Sequence, residues 1–411
     1  MPLLDDRTAP AVPTLPDARR LRVLAVIDHL VGGGAERAAV ELALRLAERH
    51  EVAIAASRMG RGPASDAVAE AVEELRRGGV RVLALGRTRT RRVGEWRPLL
   101  GAMRRNGCDV VHTHMVGSNF WGPWLRGGGG AGAWVAHEHS GFARGDEGRA
   151  EALVNPWIVG RFADRVIVPS RWSAREMAAH HGVPAARMRV VPNGAPPAAA
   201  DGDGRRDAVR AELGVAAGDP LIVVVAMLRP EKGQEVAVRA LARLRRHHPT
   251  AVLALAGAGT VQDPAGTRPA LERLAAEAGV GDGVRFLGRR GDVDDLLAAA
   301  DVALLPSQVE NLPLALVEYM RSGTPIVTTD PGGVGELVDD GEHALVVPCG
   351  DDQAMAAALR RAIDDPAAAA ARARAARERF AARFTWDAIV PQVEAVYREA
   401  LAARAGGRRG G

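Results

Sequence analysis

Short apolar runs alternate with helical patterns along most of the chain, and this alternation restricts the fold more than any other feature. Each run is followed by a segment in which apolar residues recur at helical spacing. Strands separated by helices pair in parallel, because each helix returns the chain to the starting edge of the sheet. We therefore predict an α/β fold with doubly wound parallel sheets. In the first half the expected strands are residues 21–27, 52–56, 80–85, 109–112, 134–137, 166–168 and 189–191.

The alternation stops once and then resumes. Residues 195–207 are rich in Pro, Ala, Gly and Asp, which favour turns and linkers over regular elements. Beyond them the expected strands are residues 221–226, 252–256, 284–287, 302–305, 325–327 and 345–347. A chain of 411 residues is long enough for two hydrophobic cores. We predict Rossmann-like domains at 21–194 and 213–384, joined by a linker at 195–212 and facing a central cleft.

The amino-terminal segment and the cysteines indicate the kind of compartment. Residues 1–20 contain Asp5, Asp6 and several prolines without an apolar core, so we expect a disordered leader and no signal peptide. No run approaches the roughly 18 apolar residues of a membrane-spanning helix. Cys108 and Cys349 lie far apart, which excludes a disulfide framework and fits a reducing compartment. The expected location is the cytoplasm.

The charge balance points to an anionic partner. The chain has 54 Lys and Arg residues against 50 Asp and Glu residues, for a formal net charge of +4. This mild bias suits an anionic substrate or peripheral contact with the anionic inner face of a membrane. The basic residues form no stripe interleaved with aromatic residues, so we expect no nucleic-acid partner.

The segment from Glu310 to Ser322 is the strongest candidate site. It follows the expected strand 302–305, with Asn311 as a candidate helix cap and Pro313 in the first helical turn. A helix that begins at the carboxyl end of a parallel strand directs free N–H groups and a partial positive charge into the crevice. The sequence therefore predicts a phosphate-binding site at this helix start.

Two glutamates flank that helix start. Glu318 lies about 7.5 Å along the helix axis from Pro313, where its carboxylate could accept both hydroxyls of a ribose attached to the phosphates. Glu310, in the preceding loop, could reach the group on the far side of the phosphates. The alternative is that both are ordinary solvated glutamates, but the apolar loop beside Glu310 has no evident structural need for an acid.

A glycine-rich loop follows the first strand. Gly32, Gly33 and Gly34 precede a long amphipathic helix, and glycine lets the backbone approach an anion closely. The rival interpretation is a dinucleotide-binding loop. It is disfavoured because Arg37 occupies the third glycine position and Ser57 follows the next strand where an acid is expected.

Histidines occur in pairs at the ends of two successive strands of the sequence. His112 and His114 end the fourth strand, and His137 and His139 end the fifth. Residues two apart on a strand face the same side, so each pair could in principle bind a metal. No third ligand set is evident for either pair, and we interpret the first pair as histidines that line the crevice.

A basic cluster opens the second domain. Arg229 and Lys232 lie after a strand and at the start of a helix. Lys232 can offer a point charge to phosphates, and Arg229 can offer a bidentate fork. The alternative is an ordinary exposed turn, where such residues are common.

These residues together resemble a known family. Glu310 and Glu318, which enclose Asn311, Leu312, Pro313, Leu314 and Ala315, are similar to the EX7E signature of family 4 retaining glycosyltransferases, which have the GT-B fold. The resemblance covers roughly residues 20–404. It implies a nucleotide-diphosphate-sugar donor held mainly by the second domain through the four residues after Glu310. It also implies that the last helix, 386–404, packs back on the first domain.

The resemblance also implies roles for individual residues. His139 matches the histidine that relatives hold near the transferred sugar, with His137 as the second choice. The loop at Gly33 and Gly34 would lie across the cleft, near the donor phosphates and the acceptor. The glycine turn at Gly257 would lie near the nucleobase.

The resemblance fails at one position. Relatives usually place an arginine five residues before the lysine, where this chain has Met227. Positions 227 and 229 share a face if the strand continues that far, and Pro230 favours an extended Arg229. We therefore predict that Arg229 replaces the missing arginine and shares the diphosphate with Lys232.

The implied reaction is sugar transfer with retained anomeric configuration to a glycan, lipid-linked or small-molecule acceptor. No cofactor or metal is expected, because Lys232, Arg229 and the helix dipole can meet the phosphate charge. Asp292 and Asp294 resemble a metal-binding pair, but we interpret them as helix caps. Two alternatives remain: a nucleotide-sugar epimerase of the same fold, and a non-catalytic nucleotide-sugar-binding protein.

Overall fold

The computed structural model describes residues 19–30, 33–57, 65–85, 93–139, 153–197, 203–259 and 266–407. The expected leader lies almost entirely outside these residues, as do Gly32 and part of the expected linker.

The first domain is built on a seven-stranded sheet in the order β3-β2-β1-β4-β5-β6-β7, with every neighbouring pair parallel. Its inner strands are buried on both faces, which explains why they read as continuous apolar runs. All seven expected strands are present. They are β1 (Arg22–Ile27), β2 (Glu51–Ala56), β3 (Arg81–Ala84), β4 (Val110–His114), β5 (Ala133–His137), β6 (Arg165–Val168) and β7 (Met188–Val190).

The second domain has a parallel sheet of the same design. Its order is β10-β9-β8-β11-β12-β13, so in both sheets the strand order reverses beside the first strand of the domain. Open α/β sheets bind ligands at such reversal points. The strands are β8 (Leu221–Val225), β9 (Val252–Ala256), β10 (Val284–Gly288), β11 (Val302–Leu305), β12 (Ile326–Thr329) and β13 (Leu345–Val347).

Helices cover the faces of both sheets. Those of the first domain are α1 (Gly34–Ala47), α2 (Ser65–Arg77), α3 (Arg97–Asn106), α4 (Met115–Asn119), α5 (Gly122–Gly129), α6 (Gly160–Phe162), preceded by a π-helical turn (Asn155–Val159), and α7 (Arg171–His180). Those that follow are α8 (Asp203–Leu213), α9 (Gln234–Leu244), α10 (Thr267–Glu277), α11 (Val293–Ala299), α12 (Leu314–Ser322), α13 (Asp352–Asp364), α14 (Pro366–Arg383) and α15 (Trp386–Gly407).

The expected linker at 195–212 is too long. Its second half forms α8, and Val209 and Leu213 of that helix are buried in the core of the second domain. Arg210 is buried there too and donates to the Ala299 carbonyl at 3.0 Å. These tertiary contacts stabilise a helix in a segment that contains Gly and Asp, and the composition of the segment alone does not predict it.

The last helix returns to the first domain. Trp386, Val390, Val393 and Tyr397 of α15 are buried in one cluster with residues of β1, β2, β4 and β5. The two points where the chain passes between domains lie side by side, because the Ala195 N–H donates to the Phe384 carbonyl at 2.9 Å. The two domains are therefore connected by two adjacent chain segments.

The start of α12 differs from the expectation. The helix begins at Leu314, with Pro313 at the cap position in an extended conformation. Asn311 is therefore no cap. Its side chain instead accepts hydrogen bonds from the first domain, as described below.

Within the described ranges, the structure contains no helix that is both long and apolar enough to cross a lipid bilayer.

Candidate active site

The candidate site lies between the carboxyl ends of the two sheets. In the second domain its centre is α12, which starts beside the reversal point between β8 and β11. The buried Tyr319 hydroxyl fixes this helix, accepting from the Val225 N–H of β8 at 2.8 Å and donating to the Leu304 carbonyl of β11 at 3.3 Å. One side chain thus ties α12 to both strands and sets the position of Glu318 next to it.

Glu310 and Lys232 form an ion pair at the mouth of this site. The Lys232 ammonium lies 2.6 Å from a Glu310 carboxylate oxygen. Their loops are also joined through the backbone, since the Gln308 N–H donates to the Glu231 carbonyl at 2.9 Å. Gly233, with φ +68°, permits this approach, because a Cβ there would lie 2.0 Å from the Pro306 carbonyl oxygen. Two residues that were predicted separately are therefore brought together by backbone geometry.

Glu318 is held by a residue of the opposite domain. The Arg37 guanidinium of α1 lies 2.5 Å from its carboxylate, which is 5% exposed. Burial raises the pKa of Glu318, while Arg37 acts against that rise by favouring the charged form. The carboxylate that was predicted to bind ribose thus makes a contact across the cleft.

The backbone of Arg229 is extended, as expected for a residue that precedes a proline. Its backbone has φ −149° and ψ 146°, and pairing continues past β8 because Leu228 bridges to Gly259. The side chain is paired with Glu231 at 2.6 Å. Its predicted role at the diphosphate stays a prediction.

The glycine loop of the first domain faces the second domain directly. A Cβ on Gly34 would lie 3.2 Å from the Leu314 side chain, and one on Gly33 would lie 3.6 Å from Met227. The Gly33 N–H donates to the Glu36 carboxylate at 2.9 Å, so this donor is already bound within α1. The loop therefore lies opposite the start of α12, and its predicted place near the donor phosphates stays a prediction.

Gly257 has a local structural role. Its φ is +152°, and a Cβ there would lie 1.8 Å from the Ala226 carbonyl oxygen. The glycine thus lets the end of β9 approach the loop that carries Met227 and Arg229, and its proposed place near the nucleobase stays a prediction.

The loop between Glu310 and Leu314 also contacts the first domain. The Asn311 side-chain oxygen accepts hydrogen bonds from the hydroxyls of Ser170, at 2.9 Å, and Ser173. The Leu312 carbonyl accepts from the Asn193 side chain at 3.4 Å. Two of the predicted donor-binding residues therefore also hold the domains against each other.

The four histidines form one cluster, which the sequence did not predict. Strands β4 and β5 are neighbours, with His114 in register with His137, so the two pairs meet at one edge of the sheet. The His114 Nδ1 lies 3.2 Å from the His139 Nε2. The rings of His137 and His139 stack with centroids 4.0 Å apart.

These imidazoles are uncharged at neutral pH. Burial lowers the pKa of His112 to about 3 and that of His139 to about 4. The pKa of His114 and that of His137 are lowered well below the usual value for the same reason. A neutral His139 can donate and accept hydrogen bonds, so it can orient hydroxyl groups at this face of the cleft.

The sequence did not identify three contacting residues of the site. The sequence analysis used Arg37 only as evidence against a dinucleotide-binding motif. Its position one helical turn into α1 nevertheless indicates that it faces the cleft. Glu336 accepts from the Arg171 and Trp172 N–H groups at 2.8 Å each, capping α7 from the other domain. The Tyr397 hydroxyl of α15 lies 2.7 Å from the His112 Nδ1. Only the fold brings such distant positions together.

Asp292 and Asp294, which were interpreted as helix caps, each pair with an arginine. Asp292 lies at the cap position of α11, but its carboxylate pairs with Arg290 at 2.7 Å instead of capping the helix. Asp294 pairs with Arg321 of α12.

Comparison with known proteins identifies the relatives of the chain. Residues 32–198 match the family model of Glycosyltransferase Family 4, and residues 205–379 match that of Glycosyl transferases group 1. D-inositol 3-phosphate glycosyltransferase of Acidothermus cellulolyticus is 33% identical over 329 residues, which is 74% of this chain and 70% of the relative. Glycogen synthase of Mycobacterium tuberculosis is 36% identical over 279 residues, 67% of this chain but only 63% of the relative's length.

Solved structures share the architecture. Anabaena HepE, in complex with UDP and glucose, matches with a TM-score of 0.79 and 22% identity, covering 91% of this chain and 98% of that one. Sucrose-phosphate synthase from Thermosynechococcus elongatus matches with a TM-score of 0.74 and 25% identity, covering 93% of this chain and all of that one (100%). The two facing parallel-sheet domains are thus the GT-B fold. The chain belongs to family 4 of the glycosyltransferases.

Proposed function

We propose that this protein transfers a sugar from a nucleotide-diphosphate sugar to an acceptor hydroxyl with retained anomeric configuration. The observation that carries this proposal is the set formed by Glu310, Lys232 and Glu318 around the start of α12, at the reversal point of the second sheet. A cation and a helix amino terminus suit a diphosphate, and two buried carboxylates suit the hydroxyls on either side of it.

A uridine or adenosine diphosphate sugar is the proposed class of donor. HepE has been solved with UDP and with UDP-glucose, and a starch synthase of the same fold has been solved with ADP. Glu318, in the middle of α12, would accept hydrogen bonds from the ribose hydroxyls once its ion pair with Arg37 is partly released. Glu310 would accept from a hydroxyl of the sugar.

Front-side displacement is the proposed mechanism. The acceptor hydroxyl attacks the anomeric carbon from the side that the diphosphate leaves. The bond from that carbon to the phosphate oxygen breaks, the bond to the acceptor oxygen forms, and the acceptor proton passes to the departing phosphate. Lys232, Arg229 and the α12 dipole would stabilise the developing negative charge, and neutral His139 would orient the sugar. No metal is needed for this step.

The acceptor would be held by the first domain and could be lipid-linked. Leu153, Trp157 and Arg161 are spaced four residues apart on one exposed helical face, and Trp157 is 65% exposed. Phe162 is also exposed, with the Arg161 guanidinium 5.9 Å from its ring centroid. Aromatic residues beside arginine suit the interface of an anionic bilayer.

The membrane contact is tested with vesicles. The wild type should co-sediment with vesicles that contain anionic lipid, and a Leu153→Ser, Trp157→Ser variant should not. Val309→Ser is the matched control, because Val309 is an exposed apolar residue of the second domain. Equal sedimentation of all three proteins would exclude this surface.

Transfer is tested by incubating the protein with UDP-glucose or ADP-glucose, with and without candidate acceptors that include inositol phosphate and glucans. Product should form only when an acceptor is present, and its anomeric configuration should match that of the donor. Altered nucleotide sugar without an acceptor would indicate an epimerase. Binding without turnover across the acceptor panel would indicate a non-catalytic binding protein.

His139→Ala and His137→Ala separate the two candidate histidines. His139→Ala should leave nucleotide affinity unchanged and lower kcat by about a hundredfold or more, as for loss of one transition-state partner. If His137→Ala alone shows that loss, the histidine that orients the sugar is His137.

A further inference from the structure

Three fully buried imidazoles lie close enough to share one ligand. One ring nitrogen from each of His112, His114 and His137 lies within 4.8 Å of the others, and His112 and His114 are each 1% exposed. His139 borders the group through its contact with His114. The site is formed at the carboxyl ends of two paired inner strands, so the hydrogen bonds of the sheet fix its backbone.

The hydrogen-bonding capacity of this cluster is not met by the described part of the protein. The His112 Nε2 and both ring nitrogens of His137 are buried without a hydrogen-bond partner. Nearly all buried polar atoms in folded proteins have a partner, and such groups are costly to leave unsatisfied. A ligand bound at the centre of the cluster would supply a partner for nitrogens on two of these histidines.

The Tyr397 hydroxyl can fix the tautomer of His112 that a metal requires. The His112 Nδ1 lies 2.7 Å from the Tyr397 hydroxyl, which can accept a hydrogen bond from the N–H at that position. When Nδ1 is the donor in this contact, the buried His112 Nε2 carries a lone pair. A ligating histidine commonly donates its other ring N–H to a fixed oxygen in this way.

The backbone beside the cluster is strained. Met115, directly after His114, has φ 67°, and within the described ranges it is the single residue other than glycine with a positive φ. Such a conformation persists only where the surrounding structure over-determines it, and it is concentrated at functional sites. It turns the chain sharply from β4 into α4 and holds His114 at the edge of the sheet.

We propose that His112, His114 and His137 bind a divalent transition-metal ion such as Zn²⁺, with the fourth position open to water or to His139. Three neutral imidazoles suit Zn²⁺, Co²⁺ or Ni²⁺ and do not suit Mg²⁺ or Ca²⁺, which prefer oxygen ligands. Zn–N bonds of about 2.0–2.1 Å place tetrahedral ligand nitrogens roughly 3.3 Å apart. The three ring nitrogens must therefore come closer to one another when the ion binds, and rotation of the side chains can bring them there.

This ion is distinct from a metal that would serve the donor phosphates. The cluster belongs to the first domain, whereas the proposed phosphate contacts are made by Lys232 and α12 of the second. The proposed ligands are therefore separate from the phosphate contacts, and binding of the ion can be tested without measuring activity.

Co²⁺ absorption is the direct test. The full-length protein, with any affinity tag removed and stripped of metal with a chelator that is then dialysed away, is titrated with Co²⁺. The expected result is visible bands of four-coordinate cobalt that saturate at one ion per chain and disappear when Zn²⁺ is added. The absence of such bands from the folded wild type would overturn the proposal.

Two variants identify the ligands. The double variant His112→Ala, His137→Ala should lose the cobalt bands, while the control His180→Ala, which removes an exposed histidine of α7, should retain them. Tyr397→Phe removes only the orienting hydroxyl and should weaken Co²⁺ affinity by about 10–100-fold. If the double variant does not fold, this single-atom change carries the test. Wild-type affinity in a folded Tyr397→Phe protein, or bands that persist in the double variant, would overturn the assignment.

Discussion

Single residues at the cleft make contacts that a bound donor would have to share. Glu318 is the clearest case, since its buried carboxylate faces Arg37 of the other domain. Replacing a charge-assisted acceptor by an amide weakens its hydrogen bonds to a ribose, with a difference of about 1–2 kcal/mol.

We expect Glu318→Gln to weaken the affinity for nucleoside diphosphate by roughly tenfold, a change that corresponds to about 1.4 kcal/mol. Calorimetric titration with UDP and with ADP measures it. Glu342→Gln, at an exposed position (69% of its side chain), is the control and should bind like the wild type. An unchanged affinity for Glu318→Gln would remove this residue from the ribose site.

Lys232 and Arg229 should both contribute to binding of the diphosphate. Lys232→Ala and Arg229→Ala are each expected to weaken nucleoside diphosphate binding by about tenfold, the value of one charged hydrogen bond. Neither should affect the bare nucleoside, which has no phosphate charge. If Arg229→Ala keeps full diphosphate affinity while Lys232→Ala loses it, Arg229 does not replace the arginine that is missing at Met227.

Much of the site could be predicted at the residue level because its members are close in sequence to strand ends. Glu310, Lys232 and Glu318 belong to loops and helices that follow buried strands, where α/β sheets place ligands. Arg37 and Tyr397 could not be found in this way, because their contacts depend on the angle between domains and on the return of α15. The histidine cluster could not be predicted for a similar reason, because the sequence of neither strand shows that β4 pairs with β5.

Secondary-structure elements were predicted well where the apolar pattern decides them. All thirteen strands appear where buried runs were noted, since a strand covered on both faces is apolar throughout. The helix termini were less predictable. Pro313 suits either the first turn or the cap of α12, and α8 depends on packing against the second core and not on its own propensity.

The position of α12 depends on one hydroxyl, and this dependence can be measured. Tyr319→Phe leaves the Val225 N–H of β8 without its partner inside the protein. An unsatisfied buried donor costs about 1–3 kcal/mol, which for a domain of this size lowers Tm by several degrees, at roughly 2–4 °C per kcal/mol. Thermal denaturation of the ligand-free protein measures the shift. A Tm equal to that of the wild type would show that the hydroxyl does not hold the helix.

At the scale of the whole molecule, the prediction concerns metal removal, because in the proposed mechanism protein groups of the second domain would meet the charge of the leaving diphosphate. Transfer activity should be unchanged after exhaustive treatment with EDTA. Addition of Mg²⁺ or Mn²⁺ to the same preparation should not increase its transfer activity. Activity that is lost and restored by Mg²⁺ would contradict the proposed mechanism, whereas restoration by Zn²⁺ alone would point to the histidine cluster.

The return of α15 to the first domain has a consequence for how the protein is made. A ribosome releases the strands β1 to β7 long before it reaches residue 386, yet Trp386, Val390, Val393 and Tyr397 complete the core that those strands begin. Throughout synthesis of the second domain, the nascent first domain therefore presents an uncovered apolar face. Such surfaces bind chaperones or aggregate. The first domain is thus translated before the second domain, but it can complete its core only after α15 has been made.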